Sequence, residues 1–155
     1  MADPIKKKLS RLWRLQVNTA TEESPTWTMV KGLSSLGLSI DATEVDVTDT
    51  DSDGWEDSLT TMRKAAIAAS GWDGYTGPDN APVDDPGQAF LKAKGLLTGG
   101  EAYVLVRLYR TDTGAGYTGR YTANYTGAGG DVKAAEPFVC NFTGAGPLTP
   151  VIVED

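Results

Sequence analysis

Histidine is absent from the 155 residues, and cysteine occurs once, at Cys140. The first absence removes Ser-His-Asp and Cys-His catalysis, together with every zinc site that needs imidazole. The second removes an intrachain disulfide. The setting Phe138-Val139-Cys140-Asn141-Phe142 makes the thiol a buried strand residue with no basic neighbour to activate it. No apolar run is long enough to span a membrane. The basic residues near the amino terminus (Lys6, Lys7, Lys8, Arg11 and Arg14) are not followed by the apolar core of a secretory signal. The expectation is a chain made in a reducing cytoplasm, with no membrane anchor. Positive charge is in the minority: 14 Lys+Arg against 21 Asp+Glu leave a net charge of −7. That balance argues against general nucleic-acid binding, which works by neutralising phosphates.

What the chain does have is glycine (18 residues) and a 40% hydrophobic fraction, a mixture that suits one β-rich globular domain. Its charge is unevenly placed. Asp41, Glu44, Asp46, Asp49, Asp51, Asp53, Glu56 and Asp57 fall within 41–57, far along the chain from the basic arm at 1–11. Such separation suits head-to-tail contact between copies, with simple solvation of charge as the plainer reading.

Alternating apolar positions mark the strands. Trp13, Leu15 and Val17 share one face, Trp27 and Met29 another, and Leu36, Leu38 and Ile40 a third. The apolar phase then flips between Ile40 and Val45, which predicts a bulge or tight bend near 41–43. Residues 59–69 read as strand despite their alanines, and 71–83 as loop. One helix follows at about 85–97, with Asp84 or Asp85 as N-cap, Pro86 at the first helical position and Ala89, Phe90, Ala93 and Leu97 as its apolar stripe. Strands at 101–110, 117–126, 132–142 and 148–153 complete a mainly β pattern. A β-sandwich or flattened barrel of roughly seven to eight strands with one flanking α-helix is the expected fold class. Thr-Gly-Ala-Gly recurs at 113–116, 126–129 and 143–146, and each copy is expected to connect strands.

Asp49, Asp51, Asp53, Gly54 and Asp57 reproduce the opening of a calcium loop. The pattern fails at its twelfth position, where Thr60 stands in place of a bidentate glutamate, and the residues before it alternate like a strand. These four aspartates are therefore weak metal candidates, and a calcium-dependent β-sandwich binding module remains the alternative from a different class. Gly114-Ala115-Gly116-Tyr117-Thr118-Gly119 spells a dinucleotide fingerprint but runs into a strand where a helix is required. The clustered carboxylates lack an apolar setting that would raise a pKa for acid–base work. No catalytic residue, cofactor or enzymatic activity is expected. Tyr117, Tyr121 and Tyr125 form a ladder whose plainest role is core or subunit interface.

The order Thr26-Trp27-Thr28-Met29-Val30, Glu44-Val45-Asp46-Val47-Thr48, Asp51-Ser52-Asp53-Gly54-Trp55, Leu59-Thr60-Thr61-Met62-Arg63 and Ile67-Ala68-Ala69-Ser70-Gly71 resembles the major tail (tail tube) proteins of long-tailed bacteriophages. The similarity continues through a helix near Phe90 to the strand and turn at 138–146, and covers roughly 12–150. The resemblance implies a protomer of hexameric rings that stack into a hollow tube in the virion. The genome would pass through the lumen without specific binding. Another ring-forming tail or connector protein is the nearest alternative. The partners implied are further copies of the chain and other tail proteins. The resemblance also makes the 41–58 segment the loop that reaches an adjacent ring. The expected assembly interface is then Lys6, Lys7, Lys8 and Arg11 on one side, and Asp49, Asp51, Asp53, Trp55 and Asp57 on the other.

Overall fold

A computed structural model describes residues 3–154. Its elements are β1 (Trp13–Asn18), β2 (Trp27–Met29), β3 (Leu33–Asp46), β4 (Ser58–Trp72), β5 (Tyr75–Thr76), β6 (Val83–Asp84), α1 (Pro86–Lys94), β7 (Tyr103–Arg110), β8 (Ala115–Thr126) and β9 (Pro137–Ile152). Seven strands form one antiparallel sheet in the order β2-β1-β7-β8-β9-β4-β3, and β5 pairs only with β6. The mainly β expectation with one helix stands. The sheet does not close into a barrel, and β2 and β3 remain its two edges.

Period-two alternation builds the inner face. Leu15 lies opposite Leu108 and Val17 opposite Val106; Val104 meets Tyr121, and Ile67 meets Phe142. With Ala69, Phe138, Cys140 and Leu91 these residues form one buried cluster, so the sheet wraps around a single core. Each large apolar side chain buried there contributes about 1.5–3 kcal/mol. Burial also pushes the Cys140 thiol up to about 12, which leaves it protonated and unreactive at neutral pH. Tyr121 and Tyr125 of the tyrosine ladder pack in this interior, and Tyr117 is half-buried outside the cluster. Tyr121 packs edge-on against Phe142 at 6.2 Å, and Tyr125 lies 5.4 Å from Phe138. The Tyr121 hydroxyl is buried without a hydrogen-bond partner among the described residues. Tyr121→Phe is expected to raise the melting temperature by about 2–4 °C, since an unsatisfied buried hydroxyl costs at least about 1 kcal/mol. A melting curve showing a drop would mean that the hydroxyl has a partner after all.

The helix starts as its sequence demands: Asp85 accepts the amide of Gln88, Pro86 sits in the first turn, and Lys92 and Lys94 occupy the last. It ends at Lys94, short of Leu97. The expected stripe is also displaced, because Gly87, Gln88 and Leu91 are the buried positions and Ala93 is exposed. Close approach explains this. A Cβ on Gly87 would stand 2.6 Å from the Met29 carbonyl, so only glycine lets the helix reach β2. Gln88 then binds the backbone around it. Its Nε2 donates to the carbonyls of Lys31 (2.7 Å) and Trp72 (3.0 Å), and its Oε1 accepts from Gly74 (3.2 Å). Asp85 accepts the Lys31 amide. The β2–β3 connection is thereby tied to the helix.

Three other expectations change. The segment 71–83 begins as the end of β4 and contains β5 and the start of β6. Val132 stands 99% exposed outside any strand, and β9 begins only at Pro137. The third Thr-Gly-Ala-Gly copy lies inside β9 and does not connect two strands. Gly119 pairs with Leu148 and Tyr121 with Gly144, so Ala145-Gly146-Pro147 bulge outward from one continuous strand. The Arg120 guanidinium donates to the Ala145 carbonyl at 2.8 and 3.2 Å and fixes that bulge.

Candidate functional site

β9 pairs with β4 only from Ala66 to Trp72. Beyond that point β3 and β4 have only each other, and they project as a two-stranded ribbon. Every residue from Ser39 to Asp46 and from Ser58 to Lys64 is exposed. The acidic segment 41–58 forms the far end of this ribbon and its turn.

A single extra residue reorients the ribbon. Thr43 pairs with Met62 and Glu44 with Thr60, which leaves Thr61 unmatched in β4. Its hydroxyl donates to the Thr43 carbonyl at 3.1 Å and pins the bulge. The bulge expected near 41–43 is therefore in the partner strand, opposite Thr43 and Glu44, and β3 itself runs on there without an extra residue, so its apolar side chains simply change face. The effect of the bulge is to bring Leu59 and Met62, three residues apart, onto the same face. That face also carries Val45, which lies opposite Leu59, and it is opposite the face continuous with the core. Val47 continues the alternation. The four side chains are 40–66% exposed and cover nothing within the chain. Sequence reasoning singled out the acids around them and passed over these residues. The readable signal was the phase shift itself, present in both strands.

The turn is rigidly built. Asp49 caps the short helical turn Thr50–Ser52: its carboxylate accepts the Asp51 amide (3.0 Å) and the Ser52 hydroxyl (3.3 Å), and Ser52 Oγ accepts the Asp49 amide. Asp53 at φ 52 and Gly54 at φ 83 then reverse the chain in left-handed backbone, where glycine is the natural choice. Asp46 takes two hydrogen bonds from Thr48, on its amide (2.9 Å) and its hydroxyl (2.5 Å), and the Thr48 hydroxyl accepts the Asp57 amide at 2.8 Å. Asp46 and Asp49 thus engage their carboxylates within the loop. Asp51, Asp53, Glu56 and Asp57 make no side-chain bond among the described residues, and Trp55 is 79% exposed. At the other end of the predicted interface, Lys6, Lys7, Lys8 and Arg11 are all exposed, ahead of β1. The structure leaves these basic and acidic groups apart within one chain.

The hydrogen bonds from the Thr48 hydroxyl and amide hold the Asp46 carboxyl below its ordinary pKa. A depressed folded value adds stability that is present above the unfolded pKa and lost as pH falls through the folded one. The Thr48 amide resonance is accordingly expected to titrate below the ordinary carboxylate range, and Thr48→Val should move the Asp46 midpoint upward. An unchanged midpoint in that variant would remove the hydroxyl as the cause.

A family model described as phage tail tube protein matches residues 14–150. The chain belongs to that family. Among curated proteins, none matches it. Solved structures agree with the tail tube fold. A chain from the virion of a native gene transfer agent particle is 18% identical, with a TM-score of 0.61 over 94% of this chain and 99% of that one. A chain from the tail of an empty gene transfer agent particle, refined with C6 symmetry, is 19% identical, with a TM-score of 0.63 over 92% and 98%. A chain from the six-fold symmetrised baseplate of the anti-feeding prophage is 8% identical, with a TM-score of 0.57 over 99% of each. Against this tail tube fold, the ribbon with its uncovered apolar face is the feature of the protomer that calls for a partner.

Proposed function

We propose that this chain is the structural subunit of a tail tube in a phage or phage-derived particle. Six copies close a ring, and rings stack into a conduit through which the genome passes without specific binding. The family match over 14–150 and the six-fold symmetry of two relatives support the ring. The observation that carries the reading is the β3–β4 ribbon: an exposed, unsupported hairpin with one apolar face is stable surface only when another molecule covers it. Open edges at β2 and β3 fit the same reading, since ring closure can cover edges that would otherwise invite aggregation. A net charge of −7 suits a passage for a polyanion, because phosphate then slides past without being held.

The residues proposed for contact between rings are Trp55, Asp51, Asp53 and Asp57 at the turn, with Lys6, Lys7, Lys8 and Arg11 as basic counterparts on another copy. Asp49 supports the turn from within. Electron microscopy of the purified protein tests the reading: tubes or stacked rings are expected. Trp55→Ala should fold normally yet fail to extend tubes. Native protein that stays monomeric at every concentration and salt would overturn the assignment, and normal tubes from Trp55→Ala would remove that side chain from the contact.

A further inference from the structure

The two edges of the wrapped sheet face each other across a cleft of about 670 Å³, lined by β1, the end of β2, the β2–β3 connection and the base of the ribbon. Its apolar walls include Trp13, Leu33 and Leu36, and its rim carries Arg11, Arg14 and Lys31. The ion pairs among the described residues are Lys92–Asp73 and Arg110–Asp112, so none of these three cations has a carboxylate partner. The Arg14 guanidinium is folded onto backbone instead, donating to the carbonyls of Arg11 (2.5 Å) and Trp13 (2.9 Å). An apolar cleft of this size with a rim of unneutralised cations calls for an apolar ligand with an acidic border.

This protein carries such a ligand. The ribbon tip offers Val45, Leu59, Met62 and Trp55 as apolar groups, with the carboxylates of Glu56 and Asp57 beside them at the turn. It cannot reach its own cleft. Leu36 lies in the cleft wall and Val45 near the tip of the same continuous strand, about 30 Å apart at roughly 3.3 Å per residue. The contact has to be between molecules, and two different surfaces meet in it, which makes it heterologous and able to propagate. The other sizeable apolar cleft, lined by Trp13, Tyr117, Pro150 and Ile152, is less suited, because it offers one unpaired cation, Lys8, beside an Arg110 already paired with Asp112, against three unpaired cations here.

We infer that the cleft between the sheet edges is the receptor for the ribbon tip of a second copy, with Arg14 and Lys31 selecting its acidic border. The inference rests on the tail tube reading and adds to it the surface that the ribbon enters. A charge exchange tests it. Arg14→Glu with Lys31→Glu should leave the melting temperature nearly unchanged and raise the critical concentration for stacking by tenfold or more, which corresponds to about 1.4 kcal/mol or above. Glu56→Lys with Asp57→Lys, at two side chains that make no bond among the described residues, should do the same. Mixing the two variants should restore stacks, since each then offers the surface the other lacks. If Arg14→Glu disturbs folding, Arg14→Gln with Lys31→Gln replaces it, with a smaller rise expected. Normal stacking by the folded cleft variant, or a mixture that stays unassembled, would overturn the inference. Should the cleft variant stack normally while Leu59→Asp with Met62→Asp does not, the ribbon docks elsewhere and only this inference falls. Normal stacking by both would remove the ribbon reading as well.

Discussion

Leu59→Asp combined with Met62→Asp is expected to abolish tube growth while leaving the fold intact. Both side chains are more than half exposed, on strand positions paired only with β3, and neither belongs to the core cluster. Surface changes of this kind alter stability by about 0.5 kcal/mol or less, so the melting temperature should move by no more than about 2 °C. Assembly responds differently. Two carboxylates placed in a desolvated apolar contact must either take up protons or lose their hydration, and they also forfeit the apolar burial of Leu59 and Met62, at a cost of several kcal/mol. Multiplied over the copies in a ring, the loss removes stacking at any practical concentration. Sedimentation and electron microscopy would show single rings or smaller species. Stacks of native length from the variant would mean that this face stays wet in the assembly.

Gln88→Ala should be the most damaging change to the protomer itself. It leaves the Lys31 and Trp72 carbonyls and the Gly74 amide without their partner around a site where Gln88 is 1% exposed. A loss of about 3–5 kcal/mol follows, read as a fall of order 10 °C in melting temperature. The companion variant Gln88→Met keeps the volume and offers no donor. It should fall nearly as far if the hydrogen bonds matter more than packing, and a melting point restored by Met would refute that. The effect reaches the assembly surface because Gln88 and Asp85 fix Lys31, one wall of the cleft between the sheet edges.

The strands were legible wherever one face meets the core, because alternation at Leu15/Val17, Val104/Val106/Leu108 and Leu36/Leu38 records burial directly. The helix start was legible from Asp85-Pro86, a local signal. Its buried face was not: that face is chosen by Gly87 for closeness and by Gln88 for hydrogen bonding, and neither registers as hydrophobic. Val132 looked like strand and is solvent-facing loop, since a lone β-branched residue among glycines and charges carries no period. The third Thr-Gly-Ala-Gly copy became a bulge because β8 continues past it on one side, a tertiary fact that no local motif contains. At the candidate site, the phase flip after Ile40 was visible in sequence. Its meaning depended on Thr61, whose role as the unmatched residue emerges only from the register.

The ribbon beyond Ala65 has consequences for how the subunit exists before assembly. A hairpin with no third strand and no core beneath it is marginal in water, so its hydrogen bonds open far more readily than those of the seven-stranded body. Addition of a subunit then includes a small folding reaction at the growing end. Each incoming copy carries this ordering cost, which sets stacking affinity below what the contacts alone would give.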